Sequence, residues 1–145
     1  MMPLKVTLDA NEQIIVNGCA IRNTGRRSAL MIESHADVVR GRDLITAAEA
    51  TTPVTRAYFL IQTALTEVKR REELLKPIQH SLAELATVFG GENLSHIFEA
   101  ANFVSQGDLY KALRELRPVR RHEAALLARI TVREAIAGTE DALAS

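Results

Sequence analysis

The chain has 145 residues, 47% hydrophobic and 25% charged, enough to bury roughly 70% of its unfolded surface. That apolar content excludes disorder for the bulk of the chain. With Lys+Arg at 18 and Asp+Glu at 18, the zero sum excludes a uniformly basic polyanion binder. The charge is nevertheless uneven along the chain. Residues 1–50 carry six basic and six acidic side chains, and residues 51–105 carry five against six. Residues 106–133 carry seven against three, and the last twelve carry three acids and no base. Fourteen of the basic residues are Arg, the better residue for planar, bidentate contact with phosphate; a GC-rich genome is the simpler source of that bias. Cys19 is the only cysteine, which excludes an intrachain disulfide and a thiolate metal cluster. Met1 to Asn11 is too polar for a signal peptide, and no apolar run approaches the roughly 20 residues of a membrane span. A cytoplasmic protein is expected.

In chain order, Lys5-Val6-Thr7-Leu8 alternates polar and apolar, as a half-buried strand does. Ile14-Ile15-Val16 meets Asn17-Gly18 and then Cys19-Ala20-Ile21. Asn-Gly accepts positive φ at both central positions, so a two-residue hairpin is predicted. A second turn, Asn23-Thr24-Gly25, leads into Ala29-Leu30-Met31-Ile32. These strands are apolar on consecutive residues, so both faces of their sheet require cover. Helices can cover one face, and a second copy of the chain is expected on the other.

Thr46 to Glu49 fits a capping box opening a short helix. Thr52-Pro53 supplies the cap and first-turn proline of the next. That helix places Val54, Ala57, Tyr58, Ile61, Leu65 and Val68 on one stripe, with Phe59 and Leu60 off it. Being apolar on more than one side, it predicts a central helix or an interface formed by Tyr58, Phe59 and Leu60. Leu75, Ile78, Leu82, Leu85 and Phe89 then recur at 3-4-3-4 spacing, with Pro77 predicting the helix start and Gly90-Gly91 its end. Leu94, Ile97, Phe98, Ala101 and Val104 form another stripe, stopping near Gly107. Asp108 caps a last helix with Leu109, Ala112, Leu113 and Leu116 inward, and Lys111, Arg114, Arg117 and Arg121 outward. Arg120 falls on the apolar stripe of a straight helix, so a kink or restart is expected at Pro118.

The expected architecture is α+β. An N-terminal antiparallel β-meander (about residues 4–45) precedes a C-terminal bundle of about four helices. The module boundaries are 1–45 for the strands, 46–137 for the helical region packed on them, and 138–145 for a frayed tail.

No catalytic set emerges. His35, His80, His96 and His122 lack a second His or a Cys at metal-ligand spacing, so no metal and no cofactor are expected. Ser34-His35-Ala36-Asp37 contains triad residue types, but neighbours in sequence do not make triad geometry; it reads as a polar loop. Gly90-Gly91 lacks the phosphate-loop pattern. An enzyme is not expected. All six aromatics lie in the helical half, which excludes a sheet that stacks RNA bases on aromatic rings. Two basic groups remain: Arg22, Asn23, Arg26, Arg27, Arg40 and Arg42 in the β half, and Lys111, Arg114, Arg117, Arg120 and Arg121 in the last helix. A solvated charged face is the simplest role for either.

Several stretches resemble the flagellar biosynthesis repressor family FlbT. They are Pro3-Leu4-Lys5-Val6, Ile14 to Gly18, Ala20-Ile21-Arg22-Asn23, Arg27 to Glu33, Asp43-Leu44-Ile45-Thr46, Thr52-Pro53 to Tyr58-Phe59, and Gly107-Asp108-Leu109-Tyr110-Lys111-Ala112-Leu113. Residues 66–95 and those after about Glu123 match poorly. The resemblance implies a cytoplasmic post-transcriptional regulator that binds the 5′ leader of flagellin mRNA and represses translation or promotes mRNA decay. It also implies a helical FlaF-type regulator as functional counterpart. Strand spacing over Lys5 to Ile32 is similar to the carbon storage regulator proteins, small β dimers that repress translation.

Two functions from different classes follow. In the first, Arg22, Asn23, Arg26 and Arg27 contact leader RNA, with Arg114, Arg117 and Arg121 as a second surface. In the second, the chain is an adaptor or chaperone-like factor for flagellin or a FlaF-type regulator, without RNA contact. A homodimer through the β module is expected in either.

Overall fold

The computed structural model describes residues 3–144, with side chains described over 3–140. Among these residues the strands are β1 (Leu4–Leu8), β2 (Gln13–Val16), β3 (Cys19–Arg22), β4 (Ser28–Ile32) and β5 (Val38–Val39). The helices are α1 (Pro53–Thr66), α2 (Arg71–Val88), α3 (Gly91–Ser105) and α4 (Leu109–Ala144). This is the α+β order expected, with antiparallel strands first.

The wiring of the strands differs from a single meander. β1 pairs with β4, Leu4 opposite Ile32, while β2 sits between β3 and β5 in a second sheet. Asn17 (φ 50°) and Gly18 (φ 79°) make the predicted two-residue turn that closes β2 on β3. The connections on either side of this hairpin are then laced together. The Asn11 N–H donates to the Asn23 carbonyl (2.7 Å) and the Asn23 N–H to the Glu12 carbonyl (2.9 Å), so β4 returns beside β1.

Consecutive apolar residues on β2 do face two ways. Ile14 packs with Val6 and Leu8 between the sheets, whereas Ile15 joins Val39, Ile45 and the helical core. The second face of β2 is thus covered by the chain's own β1–β4 ribbon, while Leu4, Ile21, Leu30 and Met31 on the other strands stay exposed. Gly18 brings the hairpin against α1, because a Cβ there would lie 2.9 Å from the Leu65 carbonyl oxygen.

The segment between sheet and bundle is pinned along α1. The Gln62 side-chain amide donates to the Ile45 carbonyl (2.9 Å) and its oxygen accepts from the Ile45 N–H (3.0 Å), much as a neighbouring strand would. Tyr58, fully buried, donates its hydroxyl to the Asp43 carbonyl. Burial pushes the Tyr58 pKa up, against the opposing pull of Arg117, so the phenol stays a donor. Thr46 and Glu49 form the predicted capping box around a single 3-10 turn, and Thr52 caps α1.

Helix α1 buries Val54, Ala57, Tyr58, Ile61, Ala64 and Leu65. Val68, expected on that stripe, is 67% exposed, because α1 stops at Thr66 and a 3-10 turn carries residues 68–70 off it. Helix α2 starts at Arg71, ahead of Pro77. There the Arg71 guanidinium takes up the last carbonyls of α1, on Ala64 (2.9 Å) and Leu65 (3.2 Å). Burial of Leu74 and Ile78 on either side holds Pro77 inside the helix. In α3 the inner seam is Ile97, Ala100 and Val104, which leaves Phe98 exposed rather than inward. Each helix contacts two others, α1 and α3 both lying against α2 and α4.

Helix α4 is continuous through Pro118. Leu113, Leu116 and Val119, all fully buried, offset the roughly 3 kcal/mol an internal proline costs. Arg120 needs no kink to escape the core, because its guanidinium lies 4.9 Å from the centre of the Tyr58 ring. One turn on, the buried Glu123 carboxylate accepts from the Thr52 hydroxyl and from the Val54 N–H (3.2 Å). It thereby places negative charge on the N-terminus of α1. Beyond Glu123 every described side chain of α4 is exposed. The backbone over the expected tail, 138–145, is helical as far as Ala144; Ser145 lies outside the described residues.

Glu123→Ala removes the acceptor of two donors near the top of α1. Such a loss costs about 1–3 kcal/mol, so the urea midpoint should fall with an unchanged m-value. An unchanged midpoint would show that α4 does not hold the start of α1 through this carboxylate.

Candidate nucleic-acid interface

The expected interface residues divide into those the fold consumes and those it leaves free. Asn23 is consumed. Its side-chain nitrogen lies within hydrogen-bond distance of the carbonyls of Leu8 (3.1 Å), Asp9 (3.1 Å) and Arg26 (2.8 Å), and its Oδ1 accepts from the Gly25 N–H (3.1 Å). It closes the β3–β4 connection onto the β1–β2 turn and has little left to offer a base. Arg22 donates to the Asn11 carbonyl (2.7 Å), steadying the same turn, where Asn11 sits at φ 65°. Arg27 pairs with Asp9 at 3.2 Å, both side chains over 70% exposed; an ion pair so solvated is worth little and yields readily to phosphate. The Arg26 side chain is exposed, and its guanidinium has no hydrogen-bond or ion-pair partner among the described residues.

Helix α4 makes a similar division. Lys111, Arg114 and Arg121 are exposed on its surface. Lys111 lies near Asp108 (3.7 Å) and over the Phe103 ring, and Arg114 lies 5.8 Å from the Tyr110 ring centre. Arg121 has no polar partner among the described residues. Arg117, expected on the outward face, turns instead toward Asp43 (3.7 Å) beside Tyr58, with its Nε and Nη2 buried and without a hydrogen-bond partner. At about 100° per residue it falls between the solvent face and the core stripe, and the linker carboxylate takes it inward. Tyr58, expected at a partner interface, is fully buried, and Phe59 and Leu60 are half-buried against the core.

Two clefts bring in several residues outside the two basic groups, and one of them places Arg40 and Arg42 of the β half. A cleft of about 250 Å³ is lined by Arg40 and Arg42 together with Val6, Thr7 and Glu12. The signal was Gly41 between the two arginines: a Cβ there would lie 2.9 Å from the Gln13 carbonyl oxygen, so this segment must run close against β2. A larger cleft of about 380 Å³ has Asn17 and Gly18 on one wall, Gly107, Asp108 and Tyr110 on the other, and Arg71 between. Asp37 also lines it, so its charge is mixed, and Asp108 is engaged in accepting from the Lys111 N–H (3.1 Å). That cleft suits a small polar group better than a phosphate backbone.

The histidines are surface or half-buried residues: His96 contacts Glu115 (2.7 Å), His80 contacts Glu84 (3.0 Å), and His122 meets the Phe89 ring edge-on. Among the described residues no three His, Cys, Asp or Glu side chains could hold a metal ion. Among the described residues no helix is long and apolar enough to cross a membrane.

This division predicts opposite effects for neighbouring substitutions. Asn23→Ala should lower thermal stability, because the side-chain hydrogen bonds that tie the β3–β4 connection to the β1–β2 turn are lost at about 1 kcal/mol each, whereas Arg26→Ala should leave the melting temperature within error. Thermal denaturation followed by circular dichroism checks both. Equal melting temperatures would contradict the clamp role of Asn23.

The family model described as flagellar protein FlbT matches residues 4–127. The chain is 34% identical over 130 residues to the probable flagellum biosynthesis repressor protein FlbT of Rhodopseudomonas palustris strain TIE-1, covering 88% of this chain and 100% of that protein. It is 30% identical over 113 residues to the protein of the same name from Caulobacter sp. strain K31, covering 77% and 86%. It is 27% identical to the flagellum biosynthesis repressor protein FlbT of Caulobacter vibrioides strain ATCC 19089, covering 77% and 80%. No solved structure matches the chain. Asn17-Gly18 and Gly107 to Tyr110 line one cleft and Tyr58 holds Asp43, and with a family match over most of its length this chain belongs to the FlbT family.

Proposed function

We propose that this protein regulates flagellum biosynthesis after transcription by binding the 5′ leader of flagellin mRNA and limiting its translation or lifetime. The relatives' names support the regulatory role in flagellar synthesis. The observation that carries the RNA contact is the set of arginines the fold leaves free: Arg26 on the β3–β4 connection, Arg42 at the cleft beside β1, and Arg114 and Arg121 on α4. Guanidinium groups with unused donors suit phosphate and the edges of unpaired bases. The chain's zero net charge limits non-specific attraction, so selectivity for one leader fits better than general RNA binding.

An adaptor bound to flagellin or to a FlaF-type regulator is the second reading. It draws on the large apolar side chains left in solvent, Met31, Val88 and Phe98, each more than half exposed.

Fluorescence anisotropy with a labelled flagellin leader and a scrambled control tests the first reading. The expected outcome is preference for the leader, affinity falling with salt, and a loss of about tenfold or more in the Arg26→Ala/Arg114→Ala/Arg121→Ala variant. Arg117→Ala should instead lower stability and spare RNA affinity at temperatures where it is folded. Equal binding of leader and scramble would reject the RNA reading, and Phe98→Asp abolishing co-purification of a FlaF-type protein would favour the adaptor.

A further inference from the structure

Helix α4 leaves the bundle at Glu123 and continues to Ala144, roughly 30 Å at about 1.5 Å per residue. Every side chain described there, Ala124 to Glu140, is exposed, including Leu126, Leu127, Ile130, Val132 and Ile136. Most of the stability of a helix in a protein comes from packing its apolar side, and this arm buries none of its described side chains against its own bundle. Leu126 and Ile130, one turn apart on the same side of this projecting arm, therefore call for an occupant.

We infer that the arm pairs antiparallel with the same arm of a second copy of this chain. Leu126, Ile130, Arg133, Ala137 and Glu140 recur at 4-3-4-3 spacing, so the face at the positions of a two-helix seam begins apolar and ends in opposite charges, with Leu127, Val132 and Ile136 off it. In a parallel pair each seam residue would meet its own copy, stacking Arg133 on Arg133 and Glu140 on Glu140. Reversing one helix sets Arg133 opposite Ala137 of the partner subunit and one turn from the partner's Glu140, and it does so twice by symmetry. Arg129 comes level with the partner's Glu140 in the same arrangement. The basic residues Arg129 and Arg133 precede the acidic Glu134 and Glu140 along the arm, so the surface complements itself only when reversed. Full overlap of the two arms places one bundle at each end, clear of the other. A lipid surface is the poorer occupant, since the arm carries two basic and two acidic residues over 124–140 and no cationic surplus for anionic headgroups.

Sedimentation equilibrium of the full chain, over about a hundredfold range of concentration, tests this. The wild type should move from 16.0 kDa toward twice that mass. Ile130→Asp should stay monomeric while near-ultraviolet circular dichroism of the bundle is kept. Arg133→Glu and Glu140→Arg should each weaken the dimer about tenfold, and the double variant should restore it. A wild type that stays monomeric, or a dimer that survives Ile130→Asp, overturns the pairing. Singles without effect, or a double variant no better than the singles, overturn the antiparallel orientation.

Discussion

Tyr58 stands where α1, the linker and α4 meet, its hydroxyl given to the Asp43 carbonyl and its ring covered by Arg120. Gln62 one turn along holds Ile45 by both backbone groups, and Arg117 reaches Asp43 from α4. Without this junction the two small sheets would have only Val6, Leu8 and Ile14 as their own core, far too few apolar residues for an independent β domain. The strands are ordered because Ile15, Val39 and Ile45 belong to the helical core. Strands and helices are therefore one unit, and the basic loop at Arg26 is held in fixed relation to the arginines on α4.

The same junction explains why only part of the arginine count is available. Arg71 closes the end of α1, Arg117 and Arg120 flank Tyr58, and Arg22 braces a turn. Arg71 and Arg22 satisfy carbonyls, Arg120 covers a π face and Arg117 faces the Asp43 carboxylate, so each is a structural group despite its charge. Arg26, Arg42, Arg114 and Arg121 are among the exposed arginines whose guanidinium groups have no hydrogen-bond or ion-pair partner within the described residues. Zero net charge and a selective anion contact are compatible on these terms, because selectivity needs a few placed donors and not a field.

Elements with local causes were legible in the sequence. The Asn17-Gly18 hairpin, the Thr46 capping box and the Thr52-Pro53 helix start all rest on residues within one turn of each other. What escaped was decided across the chain. The β1–β4 pairing depends on Asn23 bonding residues 14 and 15 positions away, and α4 runs straight past Pro118 because Leu116 and Val119 are both buried. The candidate site shows the same limit. Arg114 and Arg121 are where helical spacing puts them, but Arg117 lies near the edge of the stripe, and only its distant neighbour Asp43 decides which way it turns. Glu123 reads as a surface acid until α1 brings Thr52 and Val54 to it.

The central claim is that a small set of free arginines on a rigid junction contacts a flagellin leader. Ultraviolet crosslinking in flagellated cells, with sequencing of the bound RNA and mass spectrometry of the crosslinked peptides, addresses it most directly. The account predicts flagellin leader reads and crosslinked peptides carrying Arg26, Arg42 or the Arg114–Arg121 turns of α4. Crosslinks to protein alone, with no enrichment of flagellin RNA, would contradict it.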